Sequence, residues 1–193
     1  ENSGTTMRFV TTISSLLDEG YVVITGDESI RKRPMQPLLL ALRQLGINCF
    51  SIRKNDGAPI IVQGGGIKGK DVTIDGSISS QFISAILISG VCAKSEISLR
   101  VTGKQVSKSY IESTINVMSK FGGKIKYSKD YKNYHIFNNR YIATTFTIPG
   151  DFSTAALLLA AGTLVGNNIK ISNLDFSLPQ GDSTILEILK KIG

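Results

Sequence analysis

The sequence contains no tryptophan, a single histidine and only two cysteines, and each scarcity excludes a kind of protein. With His135 alone and no Cys-x-x-Cys pair, a zinc site of ordinary ligand spacing is excluded. Cys49 and Cys92 are too few for a disulfide framework and lie in apolar stretches, so we expect buried thiols in a reducing compartment. No apolar run approaches the ~20 residues of a membrane span, and we expect no membrane partner.

Apolar residues make up 41% of the 193 residues and charged residues 19%, which suits one large domain or two small ones rather than a disordered chain. Lysine and arginine number 22 against 15 acidic residues, a net charge of +7. This excess favours an anionic partner, either a nucleic acid, a phosphorylated metabolite or an acidic surface, although it can serve solubility alone. The chain lacks an initiating Met and a targeting signal, so we expect it to be part of a longer protein.

Lysines and tyrosines alternate within residues 124–140. A basic stretch with interleaved aromatic rings can stack single-stranded bases, which makes a nucleic-acid-binding module one alternative function. We prefer the more ordinary interpretation, a solvated β-hairpin.

Three segments follow one plan of strand, polar turn, helix and closing glycine. The strands are predicted at residues 21–27, 97–104 and 169–174, the helices at residues 34–45, 107–121 and 182–192, and the glycines at positions 46, 122 and 193. Apolar residues spaced i, i+4, i+7, such as Ile111, Ile115 and Met118, indicate the helices. Alternating β-branched residues indicate the strands, and each glycine stands where a helix takes a left-handed terminal residue.

A further helix with a polar start precedes each segment, at residues 4–7, 79–82 and 151–154. Thr6, Ser80 and Thr154 are spaced by 74 residues each. This period is too long for a solenoid repeat and suits a whole α/β unit used several times, with its helices packed under a sheet. The predicted fold class is therefore α/β, of the α+β type.

Residues 64–71 (Gly-Gly-Gly-Ile-Lys-Gly-Lys-Asp) approach two nucleotide-binding motifs. They fit G-x-G-x-x-G and nearly fit a P-loop, but Asp71 stands where the P-loop needs Ser or Thr. Both motifs also need a following helix with its N-terminus facing phosphate, whereas residues 72–75 alternate like a strand. We therefore reject both motifs and predict a glycine-rich hairpin turn.

Hydroxyl and amide side chains gather at three predicted helix starts. The sets are Ser79-Ser80-Gln81, Ser107-Lys108-Ser109-Tyr110 and Gly4-Thr5. Unpaired N–H groups and the helix dipole favour anions at such positions. A single hydroxyl is enough to cap a helix, and capping is the simpler interpretation of any one start. Two hydroxyls and an amide together favour a clamp for a phosphate or for sugar hydroxyls.

Three cations, Arg31, Lys32 and Arg33, stand immediately before the helix predicted to begin at Pro34. Cations are disfavoured at the positive end of a helix dipole, so an acid such as Glu28, solvent or an anionic ligand must offset them. Arginine suits bidentate binding of carboxylate or phosphate, and Arg33 is the candidate we select. The sequence shows no acid–base pair and no nucleophile beside a base. These residues therefore indicate an anion-binding α/β repeat protein but do not identify a reaction.

Six segments, in order along the chain, resemble those of the 5-enolpyruvylshikimate-3-phosphate (EPSP) synthase family. They are residues 2–8 (Asn-Ser-Gly-Thr-Thr-Met-Arg), 26–35, 75–82, 106–111, 150–155 and 180–182. The resemblance implies transfer of the enolpyruvyl group of phosphoenolpyruvate to the 5-hydroxyl of shikimate 3-phosphate, with release of phosphate. It implies no metal and no organic cofactor.

The resemblance also implies an inside-out architecture of two domains, each with three βαβαββ units of helices packed under mixed sheets. This chain would hold an incomplete copy: residues 1–148 as about two units of the first domain, and residues 149–193 as the start of the second, after a linker at Ile148-Pro149-Gly150. The implied enzyme is cytoplasmic, monomeric when full length, and binds neither nucleic acid nor membrane.

The family's functional positions carry over residue by residue. Those that would hold shikimate 3-phosphate are Ser79, Ser80, Gln81, Ser107 and Tyr110. Those that would hold phosphoenolpyruvate are Gly4, Thr5, Arg33 and Gln81, with Asn2 and Arg8 supporting the same wall. Gln81 and Arg33 are the catalytic candidates, because fixed donors and cations stabilise a multiply charged tetrahedral intermediate.

Two departures from the family pattern matter. Ser109 replaces the proline usual before the tyrosine, which is expected to loosen Tyr110. The family's N-terminal Lys-Ser segment, its aspartate general base and the basic residues of its second domain are not in this sequence, so we expect the chain alone to be inactive. The alternatives are a transferase acting on UDP-N-acetylglucosamine, which relies on a loop cysteine, and a structural repeat with ordinary caps. Cys49 and Cys92 are predicted in a strand and a helix, which argues against the former.

Overall fold

The computed structural model describes residues 2–166 and 168–192, and the chain divides into two compact units, residues 1–143 and 144–193. The first unit begins with α1 (Gly4–Ile13), β1 (Tyr21–Ile24), α2 (Glu28–Arg31), α3 (Gln36–Gln44), β2 (Cys49–Ser51) and β3 (Ile60–Gln63). It continues with β4 (Asp71–Asp75), α4 (Ser80–Gly90), β5 (Ile97–Thr102), α5 (Lys108–Lys120), β6 (Ile125–Tyr127) and β7 (Asn133–Ile136).

The strands of this unit form two sheets with matching order. The first is β1-β3-β2, antiparallel throughout, and the second is β4-β5-β7-β6. In the second sheet β4 and β5 are parallel, as the crossover through α4 requires, and the other pairs are antiparallel. The order β1-β3-β2 repeats β5-β7-β6, and the second group of elements is a complete βαβαββ unit. The predicted repeat of mixed α/β units is confirmed.

The helices lie on one face of the sheets because the strands bury alternate residues. In β4 and β5 the apolar positions are buried, while the residues between them are exposed. Helix α4 is buried along most of its length and packs against both α1 and α5. A helix that is apolar on nearly all sides belongs in the middle of a helical layer. The starts of α1, α4 and α5 are thereby brought side by side.

The glycine-rich residues 64–70 connect the first sheet to the second, so the predicted hairpin is wrong. Strand β3 already pairs with β1 on one edge and β2 on the other, which leaves no edge for β4. The glycines instead permit close approach of backbones: a Cβ at Gly64 would lie 2.8 Å from the Leu17 carbonyl oxygen, and one at Gly69 would lie 2.7 Å from Leu45 Cα. A strand follows, as predicted, and not the helix that a nucleotide motif requires.

The basic, tyrosine-rich residues 124–140 form the predicted hairpin from β6 and β7. Tyr134 is buried, and its ring stacks on that of Tyr127 with a centroid separation of 6.2 Å. The ring centroid of Tyr131 lies 5.2 Å from that of Tyr127. Tyr127 is 45% exposed and contacts both of the other rings, while Tyr131 and Tyr134 pack against the core.

The two cysteines differ in exposure, so the expectation of two buried thiols is wrong for one of them. Cys49 is buried in β2, whereas Cys92 is exposed. Helix α4 ends at Gly90, and Cys92 lies in the turn that follows, not in the helix. Val91 and Ala93 on either side point into the core, which turns Cys92 outward.

The second unit contains α6 (Phe152–Val165) and α7 (Ile185–Ile192), with a 3-10 turn at Gly181–Thr184 before α7. The third predicted helix is confirmed apart from this 3-10 start. The predicted strand at residues 169–174 is wrong, because a strand needs a pairing partner and the described residues of this unit contain no other strand.

Helix ends agree with the predicted glycines where the structure describes them. Gly46 and Gly122 have φ of +76° and +81°, the left-handed conformation expected after α3 and α5; the third closing glycine, Gly193, lies outside the described residues. Within residues 2–166 and 168–192, no helix has both the length and the apolar character needed to cross a bilayer.

Candidate active site

The start of α1 accommodates an arginine because its first residue has no side chain. Ser3 caps the helix by accepting a hydrogen bond of 3.1 Å from the Thr6 N–H. A Cβ placed on Gly4 would lie 3.2 Å from both Cδ and Nη1 of Arg33. The Arg33 side chain therefore lies directly against the N-terminal turn of α1, where backbone N–H groups are unpaired.

Residues 31–33 do not stand at the start of α3, which begins at Gln36, so that part of the prediction is wrong. Arg31 is the last residue of the short helix α2 and Lys32 is its C-cap, where the dipole favours cations. The predicted role of Glu28 as a counter-charge is confirmed for Lys32, with a separation of 2.7 Å. Arg33 remains without such a partner among the described ion pairs.

Asn2 holds the entrance of α1 against α2. Its side-chain amide donates to the carboxylate of Asp27, which also caps α2 by accepting from the Ile30 N–H at 3.1 Å. The bond from Ile30, followed by that from Asn2, lowers the pKa of Asp27. Asn2 thus helps to hold α2, which precedes Arg33, against the start of α1, and it does not line the cavity described below.

Gln81 connects the starts of α1 and α4 through both atoms of its amide. Its Nε2 donates to Thr5 Oγ1 at 2.8 Å, and its Oε1 accepts from Nη1 of Arg8. The same Nη1 lies 3.4 Å from the hydroxyl of Ser79, the N-cap of α4. These bonds fix which way the amide faces.

Arg8 and Arg33 form a pair of neighbouring cations. Arg8 is 6% exposed, its guanidinium lies 4.9 Å above the ring of Phe82, and its Nε has no partner although it is buried. Burial, and secondly the charge of Arg33, lower the pKa of Arg8. No carboxylate in the described ranges pairs with either guanidinium. Such a site attracts an anion, and arginine is the side chain best suited to bind its oxygens.

A cavity of about 950 Å³ opens beside this pair of arginines, between α4 and α5. Its polar lining includes Thr5, Ser79, Ser80, Gln81, Ser107 and Tyr110, and its apolar lining includes Phe9, Ile78, Ile88 and Val117. Every residue predicted to hold shikimate 3-phosphate lines this one cavity. Of the residues predicted to hold phosphoenolpyruvate, Thr5 and Gln81 line it, while Gly4 and Arg33 adjoin it at the start of α1.

The capping interpretation applies to some of the polar helix starts and not to others. Ser3, Ser79 and Asp151 each accept a bond from a backbone N–H of their own helix. Ser107 makes no such bond, and its backbone is left-handed, with φ of +52° and ψ of +50°. A left-handed serine is uncommon, and backbone strain of this kind concentrates at functional sites.

Ser84 and Thr114 are among the cavity residues that were not selected from the sequence. The hydroxyls of Ser84 and Thr114 line the cavity and lie 2.8 Å apart. Each stands four residues after a selected residue, Ser80 or Tyr110, so helical spacing was the available signal. Within the described residues, no three His, Cys, Asp or Glu side chains are grouped so that they could hold a metal ion.

Solved structures identify the fold of this chain. The structure is similar to EPSP synthase from Acinetobacter baumannii, with a TM-score of 0.76 and 24% identity, over the whole of this chain and 41% of that one. It is also similar to the enolpyruvyl transferase NikO from Streptomyces tendae, with a TM-score of 0.54 and 14% identity, over 79% of this chain and 35% of that one. The fold is that of the enolpyruvyl transferases.

Sequence comparison identifies the family within this fold. A model of the family described as EPSP synthase (3-phosphoshikimate 1-carboxyvinyltransferase) matches residues 1–193. The whole chain aligns with curated proteins named 3-phosphoshikimate 1-carboxyvinyltransferase. The identity is 46% with the protein from Methanococcus maripaludis strain C5 and 48% with that from Nitrosopumilus maritimus. The chain belongs to the EPSP synthase family, and it spans about half the length of these relatives, 46% and 45% respectively.

Proposed function

We propose that the protein of which this chain is a part transfers the enolpyruvyl group of phosphoenolpyruvate to the 5-hydroxyl of shikimate 3-phosphate and releases phosphate. The observation that carries the proposal is the position of Gln81. Its amide is held by Thr5 and Arg8 at the junction between the serine-lined cavity and the arginine that lies on Gly4. A residue at that junction can contact two substrates at once.

The cavity suits shikimate 3-phosphate in shape and chemistry. Hydroxyl groups of Ser79, Ser80 and Ser107 can donate to phosphate oxygens, and the ring of Tyr110, 47% exposed, offers a surface for a carbon ring. No acidic side chain is among its lining residues. A phosphorylated sugar-like acid therefore meets donors and apolar surface without like-charge repulsion.

The neighbouring arginines suit phosphoenolpyruvate. The Arg33 guanidinium and the unpaired N–H groups at the start of α1 can both donate to an anion there. When the 5-hydroxyl oxygen gives up its proton to a base and bonds to C2 of phosphoenolpyruvate, and the methylene carbon takes a proton, a tetrahedral adduct forms. Loss of phosphate and of one methyl proton re-forms the C=C bond and gives the enol ether. Arg33 and Gln81 stabilise that adduct as fixed donors, while Arg8 holds Gln81.

The domain assignment is part of the proposal. Residues 1–148 would belong to the first domain and residues 149–193 to the second. The division of the chain into two compact units after residue 143 supports a boundary in this region. Because the chain spans about half of its relatives, we propose that it is inactive alone. The cytoplasmic location, the monomeric state and the absence of nucleic-acid and membrane partners stay predictions from the resemblance.

The alternatives are less well supported. A transferase for UDP-N-acetylglucosamine would use a reactive loop cysteine, and the chain matches the EPSP synthase family instead. A module for single-stranded nucleic acid would need free aromatic faces, whereas the ring of Tyr127 lies against those of both Tyr131 and Tyr134. Its affinity would also fall steeply with salt.

The test is phosphate release by the full-length protein with phosphoenolpyruvate and either shikimate 3-phosphate or UDP-N-acetylglucosamine as acceptor. We expect turnover with the former alone, and no turnover by the 193-residue chain. Arg33→Ala and Ser80→Ala should each reduce kcat/KM by at least ~10-fold, the effect of one lost charged or neutral donor. Unchanged kinetics in both variants would favour a structural repeat with ordinary helix caps.

A further inference from the structure

A pair of hydroxyls joins the two helices that line the candidate cavity. Ser84, on α4, is 2% exposed, and its Oγ lies 2.8 Å from Oγ1 of Thr114 on α5. Thr114 Oγ1 in turn donates to the carbonyl oxygen of Tyr110 at 2.8 Å. Ser84 stands one helical turn after Ser80, and Thr114 stands one turn after Tyr110. The contact therefore lies directly below the proposed substrate-binding residues of both helices.

The direction of these hydrogen bonds follows from counting protons. A threonine hydroxyl has one hydrogen, and in Thr114 it is used on the Tyr110 carbonyl. Ser84 must then be the donor between the two hydroxyls. The result is a directed chain from Ser84 through Thr114 to the first turn of α5. A helical serine ordinarily bonds back to the carbonyl four residues earlier, so the donation of Ser84 across the helix interface is a specific use of its hydroxyl.

The start of α5 is held by the buried Ile111 and by the bond from the Val106 N–H to the Gly76 carbonyl, but it lacks a capping bond. Its N-cap, Ser107, makes no capping bond and has a left-handed backbone. Tyr110, three residues later, is 47% exposed. Position 109 carries serine, without the restraint on φ that a proline would supply. The hydroxyl chain is thus a contact that sets the rotation and height of this first turn relative to α4.

We propose that Ser84 and Thr114 are positioning residues that align Ser107 and Tyr110 with Ser79, Ser80 and Gln81 for the phosphorylated cyclic acceptor. The inference rests on the proposed function for the identity of that acceptor. Neither residue need contact the substrate. Their effect is expected mainly on the acceptor, because the residues proposed for phosphoenolpyruvate other than Gln81 lie at the start of α1 or against it, and none of them is on α5.

The experiment compares Ser84→Ala, Thr114→Val and the double variant in the full-length protein. Thr114→Val leaves the buried hydroxyl of Ser84 without its partner and should lower thermal stability. Ser84→Ala should cost less stability, because the Thr114 hydroxyl keeps its bond to the Tyr110 carbonyl. The double variant leaves neither hydroxyl, so its stability should return towards that of the wild type. The double variant still lacks the hydrogen bond that positions the first turn of α5 against α4. KM for shikimate 3-phosphate should therefore stay roughly fivefold above the wild-type value, as expected for the loss of one hydrogen bond. KM for phosphoenolpyruvate should change less than about twofold.

Two controls separate positioning from simple stability. Thr114→Ser keeps the hydroxyl and should keep the wild-type KM. Ser89→Ala removes another buried α4 serine, whose hydroxyl has no partner, and should leave both KM values unchanged. Recovery of the acceptor KM together with stability in the double variant would show that the pair only satisfies two polar groups, and the proposal would be overturned.

Hydrogen exchange on the 193-residue chain tests the positioning without any substrate. The N–H of Thr114 bonds to the same Tyr110 carbonyl as its hydroxyl does, through the helix. We expect that amide to exchange at least ~5-fold faster in the double variant, while the C-terminal turn of α5 keeps its protection. Unchanged exchange would refute the positioning role. A full-length wild type inactive towards shikimate 3-phosphate would refute the proposed function and leave this result standing.

Discussion

Gln81 donates a hydrogen bond of 2.8 Å to the hydroxyl of Thr5, which lies 76 residues earlier in the chain. Both residues belong to the first turn of a helix, Thr5 in α1 and Gln81 in α4. The bond therefore joins equivalent places in two successive repeats. The repeat has placed two helix N-termini side by side, and a side chain from one completes the anion-binding environment of the other.

Replacement of Gln81 by alanine should affect catalysis far more than folding. The variant loses the bonds to Thr5 and Arg8, and we expect unfolding free energy to fall by about 1–2 kcal/mol. In the full-length protein kcat/KM should fall by roughly 100-fold, because a fixed donor at the reacting atoms is lost. Gln63→Ala is the matched control, since the side chain of that glutamine accepts a hydrogen bond from the exposed amide of Asn48, away from the cavity. Equal kinetics in the two variants would contradict the role of Gln81.

Replacement of Gly4 by alanine should separate stability from substrate binding. Alanine favours a helix over glycine by up to about 1 kcal/mol, so stability should hold or rise. The added Cβ would lie 3.2 Å from two atoms of Arg33, which must shift. We expect KM for phosphoenolpyruvate to rise by roughly 10-fold and KM for the acceptor to stay constant.

A double variant identifies the cause of this effect. If the Cβ acts by displacing Arg33, Gly4→Ala should cost little more once Arg33 is already alanine. Additive losses in the double variant would show that Gly4 acts by another route.

Arg33→Ala should weaken substrate binding without weakening the fold. Removal of a cation next to Arg8 relieves repulsion between like charges, so unfolding free energy should be unchanged or slightly higher. The affinity for phosphoenolpyruvate should fall by at least ~10-fold, and Arg33→Lys should recover only part of it, because an ammonium lacks the planar fork of donors. Lys32→Ala is the control, because that lysine pairs with Glu28 at the surface. A marked loss of stability in Arg33→Ala would count against this assignment.

Local patterns predicted the helices and their caps well. Ser79 and Asp151 are N-caps as their types suggest, and Gly46 and Gly122 end helices with positive φ. These features depend on a few neighbouring residues, so the sequence contains the needed information. The polar helix starts also indicated residues that line the candidate cavity, because a hydroxyl cluster larger than a cap requires stands out locally.

Apart from the local error at residues 31–33, which belong to the end of α2 and not to the start of α3, the main errors depend on tertiary packing. The hairpin at residues 64–71 failed because β3 has no free edge, which only the pairing of β1 and β2 decides. Cys92 is exposed because of how the turn after α4 packs, and the hydroxyl contact between Ser84 and Thr114 spans 30 residues. Such relationships follow from tertiary packing; helical spacing could place Ser84 and Thr114 on the cavity side of their helices, but it could not show that the two hydroxyls meet.

The thiols should differ in reactivity. Burial raises the pKa of the Cys49 thiol to about 11. Partial burial also raises the pKa of Cys92, but its side chain is exposed. A disulfide reagent should modify one thiol per folded chain and two after unfolding in urea. Cys92→Ser should abolish labelling of the folded chain and, in the full-length protein, leave turnover unchanged. Loss of turnover would instead favour a transferase that relies on a cysteine.

Asp151 should make the start of α6 sensitive to acid. Its carboxylate accepts bonds from the hydroxyl and the N–H of Thr154, at 2.7 and 2.9 Å, and from the N–H of Ser153 at 3.2 Å. The Thr154 hydroxyl is the largest cause that lowers the pKa of Asp151 below its ordinary value of 3.8. The unfolded chain therefore binds this proton more tightly than the folded one. The stabilisation is present above about pH 4 and is lost as the pH falls through the lower, folded pKa.

The measurement is the amide chemical shift of Thr154 in the folded chain as a function of pH. We expect a titration midpoint below 3.8, because protonation of Asp151 weakens the bonds to this residue. Asp151→Ser keeps a capping oxygen that does not titrate, so its curve should be flat over the same range. A midpoint at or above 3.8 in the wild-type chain would mean that the cap does not favour the charged carboxylate. The helix would then depend on the apolar packing of Phe152 and Ala155, both buried, and not on its N-terminal charge.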